Sequence, residues 1–370
     1  MFEKDDDGDK PHLWYLAAML LCTVFALAAL WIYTSTQGVR FLESGYSVWS
    51  AKRTLLRNCD LGDVAVFGDS RADSAVVPAR FSTKATNFGF AGGTPIENYF
   101  FVKSALACKT KPRMLVLSFN PGAFEIVQPW LWDNAIRYGA LGWPELSLVR
   151  NEAKRLGDSS YSAIKPQMGI DGLLRDLTYA SHFPGIYFNS LVESRLALRA
   201  QKNRQKFDEV INTRGYPSYG NGTRAALTAT APDDSPFAPL PLQKSFFEKT
   251  VAMLDQAGID TYFLITPYSE KSSRAQSSQY MAAYVEFLRQ MRSRYPHFHL
   301  LQEEVPLWPD TMFVDGSHLN ENAANIFSQQ FDHCIETSRT QTASHANCEL
   351  GWKKPTSAMS DPIVLNKAVP

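Results

Sequence analysis

Two short blocks of this chain carry residue types that together perform acyl transfer. Phe67-Gly68-Asp69-Ser70-Arg71 places a serine in a tight turn after the apolar run Val64 to Phe67. A serine at the C-terminal end of a parallel strand sits at the crevice where open α/β sheets bind their ligands. Asp315-Gly316-Ser317-His318 puts a carboxylate three residues before an imidazole in one loop. Serine catalysis needs such a pair: a base that accepts the hydroxyl proton, and a carboxylate that orients the base. Taken singly, each block also reads as a turn with a helix cap, because Asp and Ser are preferred there. The remaining histidines compete poorly. His297 and His299 alternate within a terminal strand, His12, His333 and His345 are peripheral, and His182 has no evident partner.

Two further blocks supply what an oxyanion requires. Asn87 to Gly93 is a glycine-containing loop with Gly92 near its end, and Ser118-Phe119-Asn120 closes another apolar run. A backbone N–H at a glycine and an asparagine amide are both suitable donors to developing negative charge. All four blocks fall at the C-terminal ends of predicted strands, on one edge of a sheet.

The elements that must position these blocks alternate. Strands are expected at 64–67, 85–88, 114–119, 261–265 and 298–301, and helices at about 95–108, 245–257, 279–294 and 321–336. Strands separated by helices imply a parallel sheet covered on both faces, an α/β fold. Residues 121–241 interrupt the rhythm. The segment is aromatic at first (Trp130, Trp132, Tyr138, Trp143), helical and charged near 193–210, and loop-like over 232–242, so it reads as an insertion on a core of 62–120 and 245–335. Residues 34–61 read as a neck, and 338–370 as a polar, extended tail.

Leu13 to Tyr33 holds 21 residues without a charge, long enough to cross a bilayer of about 30 Å at about 1.5 Å per residue. Trp14, Tyr15, Trp31 and Tyr33 stand near its ends, as interfacial aromatics do. A cleaved signal peptide would start basic and end in small residues. This one starts acidic and ends Trp31-Ile32-Tyr33, which favours a retained anchor with residues 1–12 in the cytoplasm. Cys22 lies in the span; Cys59, Cys108, Cys334 and Cys348 remain, enough for two disulfides in an oxidising compartment or for ordinary thiols. No cysteine or histidine spacing suits zinc, and no metal is expected. Lys+Arg and Asp+Glu both total 37, for a net charge of zero, which excludes a strongly basic nucleic-acid binder. That average hides a stub of net −3 over residues 1–12, an uncharged span, and +3 over the remainder.

In their order and spacing the four blocks resemble the SGNH (GDSL-type) hydrolase superfamily. The resemblance implies a three-layer αβα, flavodoxin-like domain over 62–337. It implies Ser70 as nucleophile, Gly92 and Asn120 with the Ser70 amide as oxyanion donors, Asp315 and His318 as the triad partners, and no cofactor. The third block, G-x-N-D in the family, is Ser118-Phe119-Asn120-Pro121 here. Arg71 departs from the lipase-like pattern and is a candidate contact to an anionic or polar substrate. One N-terminal span tethering such a domain is similar to the accessory proteins of extracytoplasmic polysaccharide acylation, whose partner is a multispan membrane-bound O-acyltransferase (MBOAT). That likeness implies O-acylation, acetylation above all, of an envelope or exported polysaccharide, with the domain in the periplasm or outside the membrane. Trp130 and Trp132 are then candidate sugar-stacking residues, unless they hold the insertion down. A tethered esterase and a non-catalytic scaffold subunit are the alternative readings.

Overall fold

The computed structural model describes residues 10–127, 131–160, 178, 180–182, 196–222, 236–340 and 348–352. Apolar runs become strands: β1 (Val64–Gly68), β2 (Ala85–Gly89), β3 (Met114–Ser118), β4 (Thr261–Phe263), β5 (Tyr268–Ser269), β6 (Phe298–Leu300) and β7 (Leu307–Trp308). Five of them form a wholly parallel sheet in the order β2-β1-β3-β4-β6. Gly68 pairs with both Gly89 and Ser118, so the C-terminal ends of the three adjacent strands are level. Strands are added outward in one direction from β1 to β2 and in the other from β3 onward, and that switch point between β1 and β3 is where doubly wound sheets open a ligand crevice.

Every residue of β1, β2 and β3 is buried, which is why β1 and most of β3 are continuously apolar rather than alternating, while β2 buries Thr86 and Asn87 with hydrogen-bond partners. The two-residue period nevertheless sorts them. Ala65 and Phe67 join one apolar cluster with Val102, Phe246 and Phe247, while Val64 and Val66 join another with Ala324, Phe327 and Phe331. Helices therefore cover both faces. In chain order they are α1 (Lys10–Thr36), α2 (Gly38–Phe41), α3 (Ser44–Arg57), α4 (Ser70–Ala75), α5 (Pro95–Leu106), α6 (Gly122–Glu125), α7 (Trp143–Leu156), α8 (Leu196–Asn212), α9 (Pro241–Gln256), α10 (Glu270–Arg274), α11 (Ser278–Arg294) and α12 (Glu321–Thr340). A π-helical turn spans Leu131–Ile136.

The expected span lies within α1, whose strongly apolar stretch Leu13–Thr36 leaves its apolar side chains exposed. This helix is long and apolar enough to cross a membrane. The segment read as a neck resolves into α2 and α3, and it packs into the body: Trp49, Leu55 and Leu56 of α3 are buried, and α3 packs against α8 of the insertion. Helix α9 begins at Pro241, inside the stretch expected to be a loop, because proline fits the first helical position. The small parallel pair β5–β7 has two residues per strand, too few to leave a periodic signal.

Both disulfides form, as Cys59–Cys108 and Cys334–Cys348, with Cα–Cα distances of 5.7 and 5.5 Å. The first closes a loop holding β1, α4, β2 and α5. The second fastens residues 348–352, which are not extended away from the body. Leu350 is buried and its carbonyl accepts the Trp308 indole N–H at 2.8 Å, so apolar contact overrides the polar composition of this stretch. Helix α12 also runs to Thr340, past the expected domain end.

Helix α5 starts with a capping box in which the Thr94 N–H donates to the Glu97 carboxylate at 2.9 Å. Glu97 is fully buried, and burial pushes its carboxyl up to about 7. Its neutral form is favoured in the folded state, so this contribution to stability is complete below the unfolded value near 4.5 and is lost as pH rises through about 7. Glu97→Gln keeps the cap without the charge. In denaturant titrations, the variant is expected to gain about 3 kcal/mol on the parent between pH 4 and pH 8; parallel pH profiles would contradict this.

Candidate active site

Ser70 opens α4, a helix of six residues that is too short to stand without help. Help comes from each side. At its start, Asp69 caps it: one carboxylate oxygen accepts the N–H groups of Arg71 (2.9 Å) and Ala72 (3.4 Å). The other oxygen accepts the Asn120 backbone N–H at 2.6 Å and the Asn120 side-chain amide. One buried carboxylate thus ties the end of β1 to the end of β3. At the far end of α4, the buried Asn87 amide of β2 donates to the carbonyls of Ala72, Asp73 and Val76 at 3.0, 3.2 and 2.8 Å. The Ser328 hydroxyl of α12 donates to Ala75 O at 3.0 Å and accepts the Val77 N–H at 2.8 Å.

The loop of Asp315 and His318 is a tight turn closed by Val314 N–H to His318 O at 2.9 Å. One Asp315 oxygen accepts the amides of Ser317 (2.8 Å) and His318 (3.0 Å), and the imidazole Nδ1 lies 2.8 Å from the other oxygen. Burial on its own would raise the Asp315 carboxyl. Hydrogen bonding and charge from His318, with the two amides, outweigh it and hold the group at about 2. Asp315 is therefore ionised across the neutral range and fixes the His318 ring through Nδ1. His318 Nε2 is buried and has no hydrogen-bond partner among the described residues.

The loop after β2 brings Gly92 to the same edge. Phe90 N–H donates to Gly68 O at 3.1 Å, and a Cβ on Gly93 would lie 2.6 Å from that oxygen, so this close approach admits only glycine. Gly92 has φ +70°, in the left-handed region, and its N–H carries no hydrogen bond among the described residues. Asn120 spends one amide hydrogen on Asp69 and keeps a second. Among the described residues, Ser70 Oγ makes no hydrogen bond, to His318 or to any other group. The two residues are linked through α4. Tyr219 of the insertion stacks on the His318 ring, centroids 5.2 Å apart, and its hydroxyl donates to Asp73 of α4 at 3.1 Å.

Asp73 has a second, fully buried partner: Lys52 of α3, which also donates to Gly89 O. Burial disfavours both charges, raising the Asp73 carboxyl and lowering the Lys52 ammonium, while their attraction opposes both shifts. Arg71 turns the other way, toward the segment after β4, and lies over the Tyr268 ring at 3.9 Å. The Ser272 hydroxyl, hydrogen-bonded to Ser269, donates to Gly316 O in the Asp315–His318 loop. A cleft of about 500 Å³ adjoins this assembly, lined by Glu43, Ser44 and Trp49 on the α3 side and by Asp73, Ala91 and Tyr219 on the site side.

Sequence reasoning missed Tyr219, Lys52 and Asp73. Tyr219 lies in Gly215-Tyr-Pro-Ser-Tyr-Gly220, whose glycines and aromatics were the available signal. Trp130 lies outside the described residues, as does the Trp132 side chain. Among the described residues, no group of three or more His, Cys, Asp or Glu could hold a metal ion.

Lys52→Met would leave Asp73 buried without a counter-ion, at a cost of about 3–5 kcal/mol in chemical denaturation. Adding Asp73→Asn should recover much of that loss, and strictly additive single effects would contradict the pairing. Comparison with protein families, curated proteins and solved structures found no match to this chain.

Proposed function

We propose that the chain is a membrane-anchored serine O-acyltransferase of the SGNH type, acting on an extracytoplasmic polysaccharide with a multispan MBOAT-type partner. The observation that carries the reading is the Asp315–His318 pair, with its unpartnered Nε2, linked through Tyr219 and Asp73 to the helix that begins with Ser70. The two disulfides and α1 support an anchored domain in an oxidising space such as the periplasm.

In this mechanism, His318 Nε2 takes the Ser70 proton as Oγ bonds to the acyl carbonyl of the donor. The N–H groups of Gly92 and Ser70 and the second Asn120 amide hydrogen receive the oxyanion. Collapse breaks the bond to the donor's leaving group, which carries away the proton from His318. A glycan hydroxyl then gives its proton to His318 and attacks the acyl-serine, and Ser70 leaves with that proton. Asp315 stays ionised throughout, holding the imidazole in the tautomer whose Nε2 can accept.

The test uses the full chain in detergent, a chromogenic acetyl ester and a glycan acceptor. Intact-protein mass should show an acyl adduct on the parent and none on Ser70→Ala. Asp315→Asn should lower turnover by roughly 10³–10⁴-fold. Because Asp315 is held at about 2, its protonation should not limit the rate of the parent anywhere above pH 4. Hydrolysis that no acceptor diverts would favour the esterase reading. Unchanged envelope acylation in Ser70→Ala, with loss on deletion, would establish a scaffold.

A further inference from the structure

Arg71 is 8% exposed, yet no carboxylate of the described residues lies within ion-pair distance of its guanidinium. Its neighbours' negative charges are committed elsewhere. Asp69 is engaged by the amides of Arg71, Ala72 and Asn120, Asp73 by Lys52 and Tyr219, and Asp315 by His318. Of the five N–H donors on a guanidinium, one is used among the described residues, from Nη1 to Pro267 O at 3.4 Å. The plane is otherwise held by the Tyr268 ring beneath it, centroid 3.9 Å from Cζ. A guanidinium held this deep with most of its N–H groups unspent is suited to receive an anion, and its fork matches carboxylate and phosphate oxygens in pairs. The side chain leaves α4 one residue after Ser70 and reaches the segment that follows β4. It therefore crosses the C-terminal edge of the sheet beside the switch point.

We propose that Arg71, seated on Tyr268, binds an oxyanion of the substrate, a carboxylate or a phosphate, and so selects an acidic acceptor glycan for the acyl group on Ser70. The acceptor class rests on the acyl-transfer reading; the anion site itself does not. Tyr268 fixes the guanidinium plane, and Pro267 O sets its rotation, so the free N–H edge is pre-organised before any ligand arrives.

The test is binding by the full chain in detergent, read as a thermal shift during titration with glucose, glucuronate and glucose 1-phosphate. Glucuronate or glucose 1-phosphate should stabilise the parent and Ser70→Ala saturably, and glucose should not. The stronger of the two distinguishes a carboxylate from a phosphate site. Arg71→Gln should weaken that binding by at least about 10-fold, with Arg71→Lys between it and the parent. Equal titration of Arg71→Gln and the parent, or glucose acting as well as the charged sugars, would overturn the proposal. The comparison of charged and neutral sugars in the parent stays decisive where Arg71→Gln does not fold. Anion binding that survives while no acyl adduct forms on Ser70 would sink the transferase reading and leave the site standing.

Discussion

The Asp69 carboxylate is the constraint on which the candidate site depends. It sits at the topological switch of the sheet, 2% exposed, and accepts hydrogen bonds from the chain after β1 and from the chain after β3. Removing it would free the first turn of α4 and the 118–120 bend together, and a buried carboxylate is tolerable only because four donors converge on it. The rest of the clamp follows the same logic. Asn87 takes the last carbonyls of α4 and Lys52 takes its middle, so a six-residue helix is held by three strands and two helices rather than by its own ladder.

Much of this was legible in the sequence, and the reason is locality. The strands β1, β3 and β4 announce themselves as largely apolar runs because both faces of the sheet are covered. The Asp315–His318 turn can be read because both members share one loop. Serine, glycine and asparagine could be placed on one sheet edge because parallel strands put all their C-terminal ends on the same side. What the sequence could not reveal is what crosses it. Lys52 and Asp73 are far from any signal of pairing, since a lysine in a helix ordinarily marks a solvated face and this one is fully buried. Tyr219 lies in the insertion, where no periodicity points toward His318.

The insertion is consequently part of the site. Arg214 forms a two-pronged ion pair with Asp60 at 2.9 and 3.1 Å and donates to Ala85 O. Its carbonyl accepts the Asn87 N–H, so the strand at the edge of the sheet is covered. Gly215 follows at φ +95°, with no room for a Cβ against the Asn87 carbonyl. These contacts deliver residues 216–220 to the Asp315–His318 loop, where Gly220 O accepts the Glu321 N–H at the start of α12. The segment that breaks the α/β rhythm thus supplies the ring that backs the imidazole.

The burial of Lys52 also fixes a distance. Its helix, α3, begins eight residues after Thr36 at the end of α1, and Glu43 and Ser44 at that beginning line one wall of the cleft whose other wall is Tyr219. With α1 in a bilayer, the mouth of that cleft stands within about 25 Å of the lipid surface, the reach of seven extended residues. Because α3 is bolted to the core through Lys52, that wall of the cleft keeps a fixed place relative to the sheet. Any ligand carried in the same membrane would then meet the cleft by a search in two dimensions, and a ligand from solution would have to approach close to the bilayer.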